Sequence, residues 1–189
     1  MLKLIGSKTS PYVRKVRLLL NDFNWDYKFE EVQALSDEGE VILKSYGPVL
    51  RIPILIDGDK TIFDSSLISE YLLEKKNILL SIEDKLKLKM IDELCDTGVD
   101  LVKQKAWNID VEYSDKRSRK CLTRLNLILD ELEKEFENLN EMQMDWLFCS
   151  LDWLKFRSIL KFNDGHKKLH KFYQDHLPLE KFIKTSPDQ

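Results

Sequence analysis

Residues 51 to 66 read Arg51-Ile52-Pro53-Ile54-Leu55-Ile56-Asp57-Gly58-Asp59-Lys60-Thr61-Ile62-Phe63-Asp64-Ser65-Ser66. The chemistry sits at the two ends of this stretch. Pro53 has no N–H for a strand ladder, which confines it to a strand start or an edge and leaves the main chain of Ile52 to be presented outward. Asp64 and Ser65 precede Leu67, Ile68, Tyr71 and Leu72 at helical spacing, so one of the two is placed to cap a helix. The unbonded N–H groups and the dipole of such a helix start favour a carboxylate or a phosphate. A small ligand with a peptide-like backbone and a charged end suits this segment. A pair that only caps its own helix is the blander reading, and both stay open at this point.

The ends must be positioned by a hairpin. Ile54-Leu55-Ile56 and Thr61-Ile62-Phe63 are β-favouring runs, and the Asp-Gly pair between them suits a turn that needs φ above zero. Around it, strands and helices alternate. Leu2 to Ile5 predicts a strand. Ser10 to about Asn21 predicts a helix with Pro11 in its first turn and Val13, Val16, Leu19 and Leu20 on one apolar face. Tyr27 to Val32 predicts a second strand, Ser36 to Tyr46 a helix before the Gly47-Pro48 break, and Ser65 to about Lys75 a third helix. The order β-α-β-α-β-β-α implies a mixed four-stranded sheet covered by helices.

From about Ile82 the strand signals vanish. Leu86, Met90, Leu94 and Leu101 mark one helix, and Cys121, Leu122, Leu125, Ile128, Leu129, Leu132 and Phe136 mark another. Trp146 to Phe156 is apolar nearly all round, which predicts a buried central helix. Leu169, Phe172 and Tyr173 begin a short one before Pro178. The expected organisation is an α/β domain over residues 1–76 and an all-helical domain over residues 82–189, joined through the weakly marked Glu74-Lys75-Lys76-Asn77.

Composition narrows the classes. The formal charge of −3 gives no basic field for nucleic acid, and no apolar run reaches the length of a membrane span. Met1 to Gly6 is too short and too strand-like for a signal peptide. Cys95, Cys121 and Cys149 are few, odd in number and widely spaced, which suits buried thiols in a reducing cytoplasm. His166 and His170 have the i, i+4 spacing of a metal pair, but they lack a third ligand and stand among Lys167, Lys168 and Lys171, so no metal is expected. Arg14, Lys15 and Arg17 read as a solvated basic face. Trp107, Trp146 and Trp153 read as core before they read as a pocket.

Four stretches together carry a resemblance. Thr9-Ser10-Pro11-Tyr12-Val13-Arg14-Lys15-Val16-Arg17, Arg51-Ile52-Pro53, Asp64-Ser65 and Leu151-Asp152-Trp153-Leu154-Lys155-Phe156-Arg157 follow one another with the order and spacing of the cytosolic glutathione S-transferase superfamily. The first resembles the first-helix start of serine-type bacterial and tau-like members, and the last resembles the central helix of the second domain. The resemblance implies an N-terminal thioredoxin-like domain that binds glutathione and a C-terminal helical bundle that contributes the pocket for a small hydrophobic electrophile.

The same resemblance implies a role for each matching residue. Ser10 stands in the place of the serine whose hydroxyl donates to the glutathione sulfur and favours the attacking thiolate, with Thr9 as the alternative. Ile52 would pair its main chain with the cysteinyl part, ahead of a cis Pro53. Ser65 would take the γ-glutamyl carboxylate, Asp64 the α-amino group and Arg51 the glycyl carboxylate. The implied activity is conjugation of the glutathione thiolate, without a metal, in a homodimer. Asp96 and Asp100 lie where a partner's glutathione is faced in the family.

Two departures bear on this. Leu50 stands where the family often has a small residue or glycine. Before the central helix, Asn138 to Asp145 shows no Ser/Thr-x-x-Asp capping box, with Asn140 as the substitute cap. With the short second domain, that loss motivates a second reading, a non-catalytic module that uses the fold for protein interaction or regulation.

Overall fold

The computed structural model describes residues 1–106 and 115–187. The chain divides into two compact units, Met1–Leu79 with the last segment from Ile183 on, and Leu80–Phe182.

In the first unit, β1 (Leu2–Gly6), β2 (Tyr27–Glu31), β3 (Ile54–Asp57) and β4 (Lys60–Phe63) form one sheet in the order β2-β1-β3-β4. β1 is parallel to β2 and antiparallel to β3, and β3 is antiparallel to β4. The mixed pattern follows from the connections. A parallel neighbour needs a crossover helix, here α1 (Pro11–Asp22), whereas β3 and β4 are joined by Gly58 and Asp59 alone. Gly58 has φ 59°, the left-handed conformation that a two-residue hairpin loop requires at its first position.

α2 (Asp37–Lys44) and α3 (Ser65–Lys75) complete the unit. Val13, Val16, Leu20, Ile68 and Leu72 are fully buried, and α1 packs against α3. α2 contributes Leu43 to a smaller cluster with Ile5, Val32 and Ile54. At the turn end of the hairpin, Asp57 accepts from the Tyr71 hydroxyl at 2.7 Å and pairs with Lys75, which ties β3 to α3. These bonds, Lys75 first and Tyr71 second, hold the Asp57 carboxyl below the usual carboxylate range.

The basic run of α1 corrects an expectation. Arg14 and Lys15 are 1% and 0% exposed, not solvated. The end of the chain returns to α1, where Arg14 Nε donates to Thr185 Oγ1 at 3.3 Å and Arg17 Nη2 to the Lys184 carbonyl at 3.1 Å.

The second unit contains α4 (Ile82–Ala106), α5 (Lys116–Glu135), a single 3₁₀ turn (Phe136–Asn138), α6 (Glu141–Phe156), α7 (Lys167–His176) and α8 (Glu180–Ile183). α6 is buried on nearly every side, in keeping with its apolar run. α4 approaches it so closely at Gly98 that a Cβ there would lie 2.4 Å from Leu154 Cδ2 and 2.9 Å from Trp153 Cζ3.

The capping box expected to be missing from α6 is present in another spelling. Gln143 N–H donates to Asn140 Oδ1 at 3.0 Å and Asn140 N–H to Gln143 Oε1 at 3.0 Å. Asp84 extends it, because its Oδ1 accepts from Asn140 Nδ2 at 3.1 Å and from Gln143 Nε2 at 2.9 Å. The N–H of Asp84 donates to Ser81 Oγ, and Oδ2 accepts from that hydroxyl at 2.7 Å. The starts of α4 and α6 are thus locked by one network. α7 has no side-chain cap of its own. Glu133 on α5 supplies it, accepting from the N–H groups of Lys168 and Leu169.

Candidate functional site

Ser10 is the N-cap of α1, with Pro11 at the first helical position. Proline suits that place because its missing N–H would have no partner there. Ser10 Oγ accepts from Val13 N–H at 3.3 Å. Accepting one bond leaves the hydroxyl proton to donate elsewhere. Thr9 differs, because its hydroxyl shares a 3.0 Å hydrogen bond with Ser7 Oγ, and Ser7 is buried. Ser7 was not evident from sequence; its only signal is a small polar residue directly after the strand that leads to Thr9 and Ser10.

Ile52 lies two residues before β3, just beyond the end of the ladder, and its peptide bond to Pro53 is cis. Its side chain packs against the cluster of Ile5, Val32, Leu43 and Ile54, and Pro53 is buried. Arg51 is exposed beside it. Leu50 has φ 53°, a conformation that a glycine would adopt freely. The departure at this position is thus one of residue type and not of backbone. Leu50 also packs on the apolar cluster, which a glycine could not do.

Asp64 caps α3, with Oδ1 accepting from Ser66 N–H at 2.9 Å and Leu67 N–H at 3.3 Å. That leaves the Ser65 N–H of the first turn. Ser65 is 5% exposed, and its carbonyl accepts from Ser69 Oγ at 2.8 Å. Asp64 has φ 72° and ψ 128°, a sparsely populated conformation for a residue with a side chain. Such backbone costs on the order of 1–3 kcal/mol and clusters at functional sites.

The register collects these segments. Ile5 pairs with Ile54, and Ile54 with Phe63. The loop after β1 that carries Thr9 and Ser10, the approach to β3 that carries Arg51, Ile52 and Pro53, and the Asp64-Ser65 step after β4 therefore all leave the same end of the sheet. Adjacent strands lie about 4.8 Å apart, so this row of three spans about 10 Å.

The remaining candidates are placed elsewhere. Trp146 and Trp153 are buried core. Trp107 lies outside the described residues. An open cavity of about 550 Å³ is lined by Asp115, Lys116, Arg117 and Lys120, and the Asp115 carboxylate caps α5. Asp96 accepts from Lys89 at 3.1 Å, and Asp100 is exposed. His166 Nε2 bonds to Asp130 at 2.9 Å, while His170 stacks on Phe162. Among the described residues no group of three or more His, Cys, Asp or Glu could hold a metal ion.

Comparison with known proteins gives three levels of likeness. Residues 4–78 match the family model described as glutathione S-transferase, N-terminal domain. Glutathione S-transferase U17 of Arabidopsis thaliana is 36% identical over 70 residues, which are 37% of this chain and 30% of that protein. An uncharacterized GST-like protein, YibF, of Escherichia coli (strain K12) is 25% identical over 205 residues, covering 98% of each chain. The crystal structure of a glutathione S-transferase from Methylobacillus flagellatus KT with glutathione bound superposes with a TM-score of 0.83. It is 24% identical and covers 99% of this chain and 100% of its own, which shows a shared fold. With its thioredoxin-like first unit and helical second unit, the chain has the fold of this solved glutathione S-transferase, and its residues 4–78 match the N-terminal domain family.

Proposed function

We propose that the protein is a glutathione S-transferase of the serine type, which activates the glutathione thiol and joins it to a small hydrophobic electrophile. One observation carries the reading: the single row of Ile5, Ile54 and Phe63, from which the three candidate segments emerge. An extended tripeptide reaches about 10 Å, the span of that row. Ser65 takes the γ-glutamyl carboxylate with its hydroxyl and N–H at the start of α3, where the helix dipole favours an anion. Asp64 takes the α-amino group, Ile52 pairs main chain to main chain with the cysteinyl unit, and Arg51 takes the glycyl carboxylate. Ser10 donates a hydrogen bond to the sulfur and stabilises the thiolate left when the thiol proton passes to solvent; the thiolate then attacks the electrophile, forming the C–S bond as the leaving group departs. Thr9 is the alternative donor, with its hydroxyl sharing a hydrogen bond with Ser7.

Calorimetry with glutathione tests the binding half, and turnover of a chloronitrobenzene-type electrophile tests the chemistry. Binding without turnover would leave a glutathione-binding module, and no binding at millimolar glutathione would remove the whole reading. The non-catalytic alternative loses one of its two supports, because the α6 capping box is present.

The wider assignment is a proposal of the same kind. We place residues 1–76 as the glutathione-binding domain and 82–189 as the domain that contributes the electrophile pocket. The buried thiols of Cys95, Cys121 and Cys149 suit a reducing compartment, and we place the protein in the cytoplasm. Exposed Leu67 on α3 and exposed Leu86 on α4 are the residues we assign to a homodimer contact. A monomer by light scattering at working concentration would remove that assignment.

A further inference from the structure

The arm that carries Arg51 and Ile52 runs between two anchors. One is the β3 ladder, whose pairing with β1 starts at Ile54. The other is Tyr46, two residues past the end of α2. The Tyr46 ring packs against the cluster of Ile5, Val32, Leu43 and Ile54. Its hydroxyl accepts from the Lys3 ammonium at 2.7 Å and donates to Glu30 Oε1 at 3.1 Å, while Lys3 also reaches Glu30 Oε2 at 3.2 Å. Lys3 stands on β1 and Glu30 on β2, so the three groups close a triangle that ties the α2 end to two neighbouring strands. Between the anchors the chain turns twice through positive φ, at Gly47 (140°) and at Leu50 (53°). Leu50 and Ile52 rest on the same apolar cluster as the Tyr46 ring.

This arrangement separates two kinds of work. The apolar contacts hold the arm against the sheet but set no direction along it. The hydroxyl of Tyr46 does set one, because it meets a donor and an acceptor at fixed places. Resting on the reading of Arg51 and Ile52 as glutathione contacts, we propose that the Tyr46 hydroxyl, clamped by Lys3 and Glu30, is a positioning group for the cysteinyl-glycyl half of glutathione. It touches no reacting atom and acts through residues 47–52. Ser10 sits on a different segment, so the thiol chemistry is left out of its reach.

The test is Tyr46→Phe, which keeps the ring and removes only the hydroxyl. Only part of what the hydroxyl fixes is passed to the ligand through residues 47–52, on the scale of one ordinary hydrogen bond, so Kd and KM for glutathione should rise about 3- to 10-fold. The kcat at saturating glutathione and the pH profile of the bound thiol should match wild type. A Kd within twofold of wild type overturns the proposal. So does an equal fall in kcat or a displaced pH profile, since either would route the effect through the sulfur. Should Tyr46→Phe not fold, Lys3→Met removes the 2.7 Å donor and must give the same split between KM and kcat. Wild-type calorimetry comes first: no glutathione binding there removes the function proposed above and this inference with it, whereas wild-type binding with an unaffected Tyr46→Phe removes this inference alone.

Discussion

The Ser10 hydroxyl accepts the N–H of Val13 at 3.3 Å, while the Thr9 hydroxyl one residue earlier is turned to Ser7. One bond serves the helix and leaves a proton for a ligand; the other is shared between two loop hydroxyls, either of which can be its donor. Replacement of Ser10 by alanine should therefore do two things. The lost cap costs about 1 kcal/mol of stability. Loss of a hydrogen bond to a thiolate is worth about 1.5–3 kcal/mol, so turnover should fall roughly 10- to 100-fold and the bound thiol should titrate about one to two units higher. Thr9→Val should stay within about threefold of wild type, on the scale of one ordinary hydrogen bond. Steady-state rates and thiolate absorbance against pH check both variants; a larger loss in Thr9→Val than in Ser10→Ala would exchange their roles.

Asp64 joins a cap to a strained backbone, and asparagine separates its parts. Asn caps helices as well as Asp and is among the few residues that tolerate positive φ. Asp64→Asn should melt within about 2 °C of wild type, since a full cap is retained. Its charge is gone, so glutathione should bind about 3- to 30-fold more weakly through the lost attraction to the α-amino group. Thermal melts beside calorimetry decide it; a lower melting point with unchanged affinity would make Asp64 a cap and nothing more.

Asp84 ties two helix starts together, and the Ser81 hydroxyl, first among its partners, holds its carboxyl below the ordinary carboxylate range. A group depressed on folding stabilises the fold above its unfolded pKa of about 3.9. That stability is lost as pH falls through the lower folded value. Wild type should thus exceed Asp84→Asn in urea midpoint at pH 6, and the gap should close between pH 4 and the folded pKa. A gap that stays constant over that range would dissociate the carboxylate from the network.

Gly98 tests the contact of α4 with α6. Alanine improves helix propensity by about 1 kcal/mol, but its Cβ must displace Leu154 and the Trp153 ring in a filled core. Overpacking costs about 1–3 kcal/mol, so Gly98→Ala should be less stable by about 1 kcal/mol on balance. A rise in urea midpoint would show that Leu154 yields at no cost.

The hairpin was legible because β-favouring runs, an Asp-Gly turn and a helical period follow one another between Ile54 and Leu72. The row that gathers Ser10, Ile52 and Ser65 was not, because strand register is a tertiary property and only the family likeness pointed to it. Burial of Arg14 was hidden for a similar reason, since Thr185 lies 171 positions away and charge on a helix ordinarily reads as solvated. The α6 box escaped notice because Asn140 and Gln143 make the same two bonds as a more familiar residue pair. At Leu50 the residue type itself misled: a bulky side chain gives no hint of positive φ, and its packing on the Ile5 cluster is what holds it there.

The return of the chain to α1 has a consequence for the order of assembly on the ribosome. Arg14 and Arg17 meet Thr185 and Lys184, residues translated only after all of α4 to α7 has been made. The β-sheet can pair long before that moment, yet the helix capped by Ser10 lacks these partners until residues 184 and 185 have been made. A stalled chain that ends within α6 should therefore expose the basic side of α1 to proteases while its hairpin is already protected.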